Sequence, residues 1–188
     1  LAGFSGIGWD DKINLWLRPD CFVACTRWQT DWARKTNSKA EIVTISIGVN
    51  TERFKPEGNK YLHGLKSPVI LVVAGPQSFK RVDLAIEAVS RLANASLLVV
   101  GEQNQEIKQL GEKLLGRRFK NIKVEYKDLD RVYRACQVYT LGSGSSEAYG
   151  ISILEAMASG LPVVVNNDPI RRELVGKVGI LVDPTDLN

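Results

Sequence analysis

Apolar positions along this chain change period again and again. Residues 68–74 form an unbroken, largely β-branched run, the pattern of a strand covered on both faces. Just beyond it, Val82, Ala85, Ile86, Val89 and Leu92 fall on one stripe of a helix spanning 80–92. Further strands are predicted over 95–101, 121–126, 137–141, 162–166 and 179–183, with helices over 106–116, 128–136 and 150–159 between them. Asp128 reads as the cap of one helix. Asp168 and Pro169 read as the N-cap and first residue of a brief helix after the fifth strand. Strands and helices alternating in this way predict the α/β class: an open, doubly wound parallel sheet with helices on both faces.

The first part of the chain follows another pattern. Strands are expected over 19–25 and 41–46, flanking an amphipathic segment over 28–36. Residues 48–60 are polar and turn-rich and read as a linker. The expected organisation is therefore the tail of a preceding domain over 1–46, a hinge over 47–66 and a sheet domain over 67–188. The chain starts at Leu1 without Met, so an upstream portion is expected. Trp9, Trp16, Trp28 and Trp32 all lie in the first part, where core packing or an interdomain surface explains them better than base stacking.

Composition excludes several classes. With 44% hydrophobic and 24% charged residues among 188, the sequence is that of a globular protein, not a disordered or fibrous one. Its apolar runs are too short to span a bilayer, and residues 1–10 lack the pattern of a signal peptide. The net charge of +4 carries no basic block, so it suits an anionic small ligand as well as nucleic acid. Cys21, Cys25 and Cys136 form no disulfide framework and fit a reducing compartment, with Cys21 and Cys25 read as fillers of a buried strand. His63 is the one histidine; no Ser, Cys or acidic residue stands beside it, and a metal site built on histidines is excluded.

The densest chemistry lies over 141–155. Gly142, Ser143, Gly144, Ser145 and Ser146 are small enough to let backbone approach a ligand, and they lead into a helix starting near Gly150. Free N–H groups at the start of that helix, from Gly150 through Ile151 to Ser152, would face an anion. Glu147 stands before the helix, and Glu155 lies about one and a half turns inside it. Carboxylates beside a phosphate cradle make sense as partners of ribose or sugar hydroxyls; otherwise the stretch is a glycine-rich surface turn followed by two solvated glutamates. Lys80 and Arg81 follow the first strand of the sheet on the same rim, where cations would neutralise a diphosphate. Arg171 and Arg172 could serve similarly but fit a solvated face better.

These residues resemble a known family. The stretch from Glu147 through Glu155 to Val165 is similar to the paired-glutamate motif in the carboxyl-terminal half of retaining GT-B glycosyltransferases of group 1. Residues 79–88, 97–101, 132–138 and 179–184 match that family in order, and 47–56 resembles its interdomain hinge. The resemblance implies a Rossmann-like donor-binding domain over 67–188. It implies that Glu155 holds the ribose hydroxyls and that Glu147 contacts the transferred sugar. Gly150, Ile151, Ser152 and Tyr149 would line the donor, and Lys80 would bind the diphosphate. No cofactor or metal is implied. The implied partners are a nucleotide sugar and a saccharide or lipid-linked acceptor, with no nucleic acid; the implied location is cytoplasmic, at the membrane face if the preceding domain docks there. Where the family usually carries an arginine, this chain has Gly75 or Pro76, so Arg81 is the substitute to look for. Acceptor-binding residues are expected outside this sequence, which alone would bind donor weakly and catalyse nothing. A non-catalytic nucleotide-sugar sensor or inactive paralogue is the alternative; an epimerase of the same architecture fits the glutamate motif less well.

Overall fold

A computed structural model describes residues 9–17, 19–37, 39–144, 147 and 149–183. Leu1, Ser145 and Ser146, named above, lie outside the described residues, as do residue 184 at the end of the last matched stretch and the side chain of Trp9. The chain begins with helix α1 (Trp9–Trp16), strand β1 (Cys21–Ala24), helix α2 (Arg27–Thr36) and strand β2 (Glu41–Thr44). Strand β3 (Val69–Val73), helix α3 (Val82–Ser90), strand β4 (Ser96–Val100), helix α4 (Gln105–Leu115) and strand β5 (Phe119–Ile122) follow. Helix α5 (Leu129–Ala135), strand β6 (Val138–Leu141), helix α6 (Ile151–Ala158), strand β7 (Val163–Asn166), helix α7 (Pro169–Val175) and strand β8 (Ile180–Val182) complete it.

Six strands form one parallel sheet in the order β5-β4-β3-β6-β7-β8. Chain order therefore reverses direction across the sheet between β3 and β6, as in a doubly wound fold. Every residue of β4 is buried, which is why its sequence after Ser96, Leu97 to Val100, is apolar without alternation. The core gathers Leu71, Ile86, Leu97, Leu98, Tyr133, Tyr139 and Ile153 around the sheet. Asp168 caps α7 as expected, accepting from the N–H groups of Ile170 and Arg171.

Several local expectations need correction. The third strand of this sheet starts at Phe119, not Asn121. The Phe119 ring lies so close over Gly111 of α4 that a Cβ there would sit 2.5 Å from it, and the side-chain amide of Asn121 donates to the Val99 and Gly101 carbonyls. Tertiary contacts thus set a register that the short FKNI segment does not show by itself. Asp128 precedes α5 without capping it; its carboxylate accepts from Arg131 Nη1 at 3.0 Å. Residues 45–68 carry no helix or strand, yet Phe54 is buried edge-on against Tyr133, so the turn-rich segment is anchored to the sheet core.

β1 and β2 pair in parallel as a separate two-stranded sheet, with a small core of Leu15, Ala33 and Ile42. The polar α1 escaped the sequence reading because Leu15 is its one buried residue among the described side chains. Cys21 is exposed and Cys25 half-buried, contrary to the buried-strand reading; only Ala24 of β1 is buried. Trp16 is exposed and Trp32 packs on the small core. α2 joins this part to the larger sheet. Thr26 Oγ1 accepts from the Gln29 N–H, and Glu173 of α7 accepts from the N–H groups of Arg27 and Trp28. One carboxylate from a distant helix thereby satisfies the open donors of the first turn and matches the helix dipole.

Candidate functional site

Two connections meet where the strand order reverses. The one after β3 runs through Ala74 and Gly75 into a tight turn at Ser78–Lys80; the other leaves β6 at Gly142 and enters α6 at Gly150. The crevice beyond the carboxyl ends of such strands is where open parallel sheets bind ligands. Here the two connections are tied together. The N–H of Gly144 donates to the carbonyl of Phe79 at 2.6 Å, and Lys80 Nζ forms an ion pair with Glu147 Oε2. The lysine and glutamate side chains retain only 19% and 10% of their exposure, so their attraction is far less screened than on an open surface.

Arg81 turns elsewhere. The sequence expectation brings it to the diphosphate as the missing arginine, but its guanidinium is held by Asp83, with Nη2 2.9 Å from Oδ2. Hydrogen bonding to that carboxylate raises the arginine pKa, against the opposing effect of burial. Arg81 has φ of 47°, a left-handed backbone that a non-glycine residue adopts at a cost of about 1–3 kcal/mol. This kink ends the turn and lets α3 begin at Val82, later than the periodicity suggests. Arg81 lines a separate groove of about 770 Å³ with Pro76, Gln77, Asp83, Gln103 and Ile107.

Gly150 is the N-cap of α6, with φ of 95°. A Cβ there would lie 2.9 Å from Ile153 Cδ1, so both conformation and space call for glycine. Glycine supplies no side-chain cap, and the first-turn N–H groups at Ile151 and Ser152 have no partner within the helix. Ile151 is exposed. The Ser152 hydroxyl is occupied below: Tyr139 donates to it at 2.7 Å, while the Tyr133 hydroxyl, whose proton is shared with Glu155, lies 3.2 Å from the Ser152 carbonyl. Tyr149 is buried and donates to the Ile47 carbonyl at 3.3 Å, tying the site to residues 45–68.

Glu155 is buried and accepts from the Tyr133 hydroxyl at 2.8 Å. Burial pushes its carboxyl pKa above the usual 4.5, opposed by the Tyr133 hydrogen bond and the positive charge of Arg53. The folded state therefore binds this proton more tightly than the unfolded state does. Its contribution to stability is fully present below the ordinary carboxylate value and is lost as pH rises through the raised folded value. Glu155→Gln is expected to raise the thermal midpoint of the chain by a few degrees near neutrality. The gain should shrink as pH falls toward 4.5; melting curves of both chains over a pH series check this, and a pH-independent gap would refute it.

The sequence expectation sets Arg171 and Arg172 together on a solvated face; the structure separates them. Arg172 is exposed and donates to Asn167 Oδ1. Arg171 is fully buried, with Nη2 2.9 Å from Ser143 Oγ and Nη1 3.3 Å from both the Glu147 carbonyl and Asp168 Oδ2. Tyr133, Tyr139 and Arg53 were likewise missed. The tyrosines read as ordinary core residues, and the signal that each spends its hydroxyl on α6 exists only in three dimensions. Among the described residues no helix is long and apolar enough to cross a membrane, and no three His, Cys, Asp or Glu side chains converge as a metal set.

Residues 54–188 match the family model of the glycosyl transferases group 1. Among curated proteins, the GtfA subunit of UDP-N-acetylglucosamine–peptide N-acetylglucosaminyltransferase from Streptococcus parasanguinis is 25% identical over 187 residues, covering 92% of this chain and 34% of the relative. The chain thus spans about a third of that relative's length. Among solved structures, sucrose-phosphate synthase from Thermosynechococcus elongatus aligns with a TM-score of 0.80 at 20% identity, over 96% of this chain and 50% of the other. HepE from Anabaena, solved with UDP and glucose, aligns with a TM-score of 0.77 at 19% identity, over 94% and 55%. These structural likenesses bear on the fold.

Proposed function

This chain belongs to the glycosyl transferases group 1, and on that premise we propose that it is the donor-binding part of an enzyme that moves a hexose from a nucleotide-diphosphate sugar to a saccharide or lipid-linked acceptor. The observation that carries the reading is the meeting of Lys80 and Glu147 in front of the uncapped start of α6, at the reversal point of the sheet. A cation and a carboxylate paired across the two connections, with backbone donors and a second carboxylate on the helix that follows, match the parts of a nucleotide sugar: diphosphate, hexose hydroxyls and ribose hydroxyls.

In this reading Lys80 takes the diphosphate. Its ammonium has three N–H donors, so it holds a phosphate oxygen while still touching Glu147. The N–H groups of Ile151 and Ser152 complete the anion cradle. Glu147 receives hydroxyls of the hexose, and Glu155 receives those of the ribose, displacing or sharing the Tyr133 hydrogen bond. During transfer the bond between the anomeric carbon and the phosphate oxygen breaks. The acceptor oxygen bonds to that carbon on the same face, and its proton passes to the departing phosphate. Lys80 stabilises the charge that develops on that phosphate. No resident metal is needed for these steps. The curated relative's name and the UDP in the HepE structure favour UDP among the nucleotides to be tried first.

Titrating the folded chain with UDP, GDP and ADP in a calorimeter tests the reading. Binding of one of them, weakened by Glu155→Ala by about 1–3 kcal/mol, is expected. No binding at millimolar ligand would sink the donor-site assignment.

A further inference from the structure

We propose that Arg171 is the positioning residue of this site: from inside α7 its guanidinium grips the β6–α6 connection at Ser143 and at the Glu147 backbone and so aims Glu147 at Lys80 and the hexose. The inference rests on the donor-site reading above, but its structural half stands on contacts within the chain. The described parts of the connection, Gly142 to Gly144, Glu147 and Tyr149 to Gly150, carry no helix or strand, and small residues do little to restrain their own backbone. Restraint comes from two sides. Phe79 holds Gly144 through its carbonyl. Arg171 holds Ser143 Oγ with one terminal nitrogen and the Glu147 carbonyl with the other.

The energetics argue that this grip serves something besides stability. Arg171 has 0% exposure, and its Nε has no hydrogen-bond partner among the described residues. Burying a guanidinium is costly, and an apolar side chain of similar volume often does as well for the fold. Asp168 does not require the arginine, because it already accepts from the Ile170 and Arg171 N–H groups and from Asn166 Nδ2. What an apolar residue cannot do is bond two points of one connection at once, and lysine, with a single nitrogen, does it poorly. Arg171 touches the Glu147 backbone and not its carboxylate in the contacts observed, so it acts through Glu147.

Two readouts test this. Amide hydrogen exchange is measured in wild type, Arg171→Met and Arg171→Lys. Both variants are expected to speed exchange at Gly144 and Glu147 by about tenfold, the worth of one lost hydrogen bond, with β3 and β4 amides unchanged. The same chains are titrated with UDP against UDP-glucose and GDP against GDP-mannose. Each variant is expected to lose, by about tenfold, the extra affinity of sugar nucleotide over free nucleotide while keeping that for the nucleotide itself. Unchanged exchange at Gly144 and Glu147, or full rescue of both readouts by lysine, overturns the inference. If Arg171→Met loosens the whole chain, Ser143→Ala, which removes one anchor and leaves the cation, decides: faster exchange at Gly144 supports the grip and unchanged exchange refutes it. Should wild type bind none of the four nucleotides while folded, the donor-site reading fails, and hydrogen exchange still reports whether Arg171 holds the connection.

Discussion

Lys80→Ala is expected to cost the folded chain about 2–3 kcal/mol and, in the same stroke, to lower nucleoside diphosphate affinity by roughly 30- to 100-fold. The stability loss follows from what is left behind. Glu147 is buried, and Lys80 is the cation paired with its carboxylate. Removing one member of a buried pair strands the other charge; the residual exposure of 19% and 10% lowers the figure from the range seen for fully enclosed pairs. Lys80→Met combined with Glu147→Gln removes both charges and should recover most of the loss, since the pair's net worth is small beside the penalty for breaking it. Ligand binding separates the two effects. The double variant should stay as weak toward free nucleotide as Lys80→Ala, because in the proposed donor site the missing contact is a charge-assisted bond to phosphate. Glu147→Gln alone should bind free nucleotide nearly as wild type does. Urea melts and calorimetry on these chains, with Lys80→Met added as the matching single variant, complete the cycle. A double variant no more stable than Lys80→Ala would show that the ion pair is not what organises this rim.

Gly101→Ala is expected to be at least as damaging, for a reason of sterics alone. Gly101 has φ of 121°, a region L side chains rarely enter, and a Cβ added there would lie 2.1 Å from the Ala74 carbonyl oxygen. Neither atom has room to move. Ala74 donates its N–H to Val100 and accepts from Gln103 Nε2, while Gly101 donates to the Ile122 carbonyl. An alanine must either break these bonds or push β3 and β4 apart at their carboxyl ends, where the Lys80 connection departs. A loss of about 3 kcal/mol or more is expected in denaturant unfolding. A loss below about 1 kcal/mol would mean that the rim adapts far more than close packing allows.

Much of this was legible in the sequence because its causes are local or periodic. β3 and β4 announce themselves as runs of Val, Ile and Leu, since a strand buried on both faces has no polar side to show. Gly150, Asp168 and Pro169 mark helix starts by their own chemistry. Chain order and parallel pairing then bring the β3 and β6 exits together, so the alternation of elements alone sets Lys80 and Glu147 on one rim. The short edge strand β5 could not be placed as well, because its register depends on Phe119 resting on Gly111 of another element.

Side-chain assignment within the site was beyond the sequence. Arg81 and Lys80 are adjacent, yet a left-handed backbone at Arg81 separates their directions and Asp83 captures the arginine. Arg171 and Arg172 are adjacent too, and the helix turns one into the protein and the other to water. Sequence by itself determined the class of fold, the alternation of strands and helices from β3 onward and that Lys80 and Glu147 share one rim, because apolar period and turn residues encode those directly. Only the tertiary structure decided which charges face one another and which are buried, because that depends on packing between segments far apart in the chain, where a rotation of one residue reverses a side chain's surroundings.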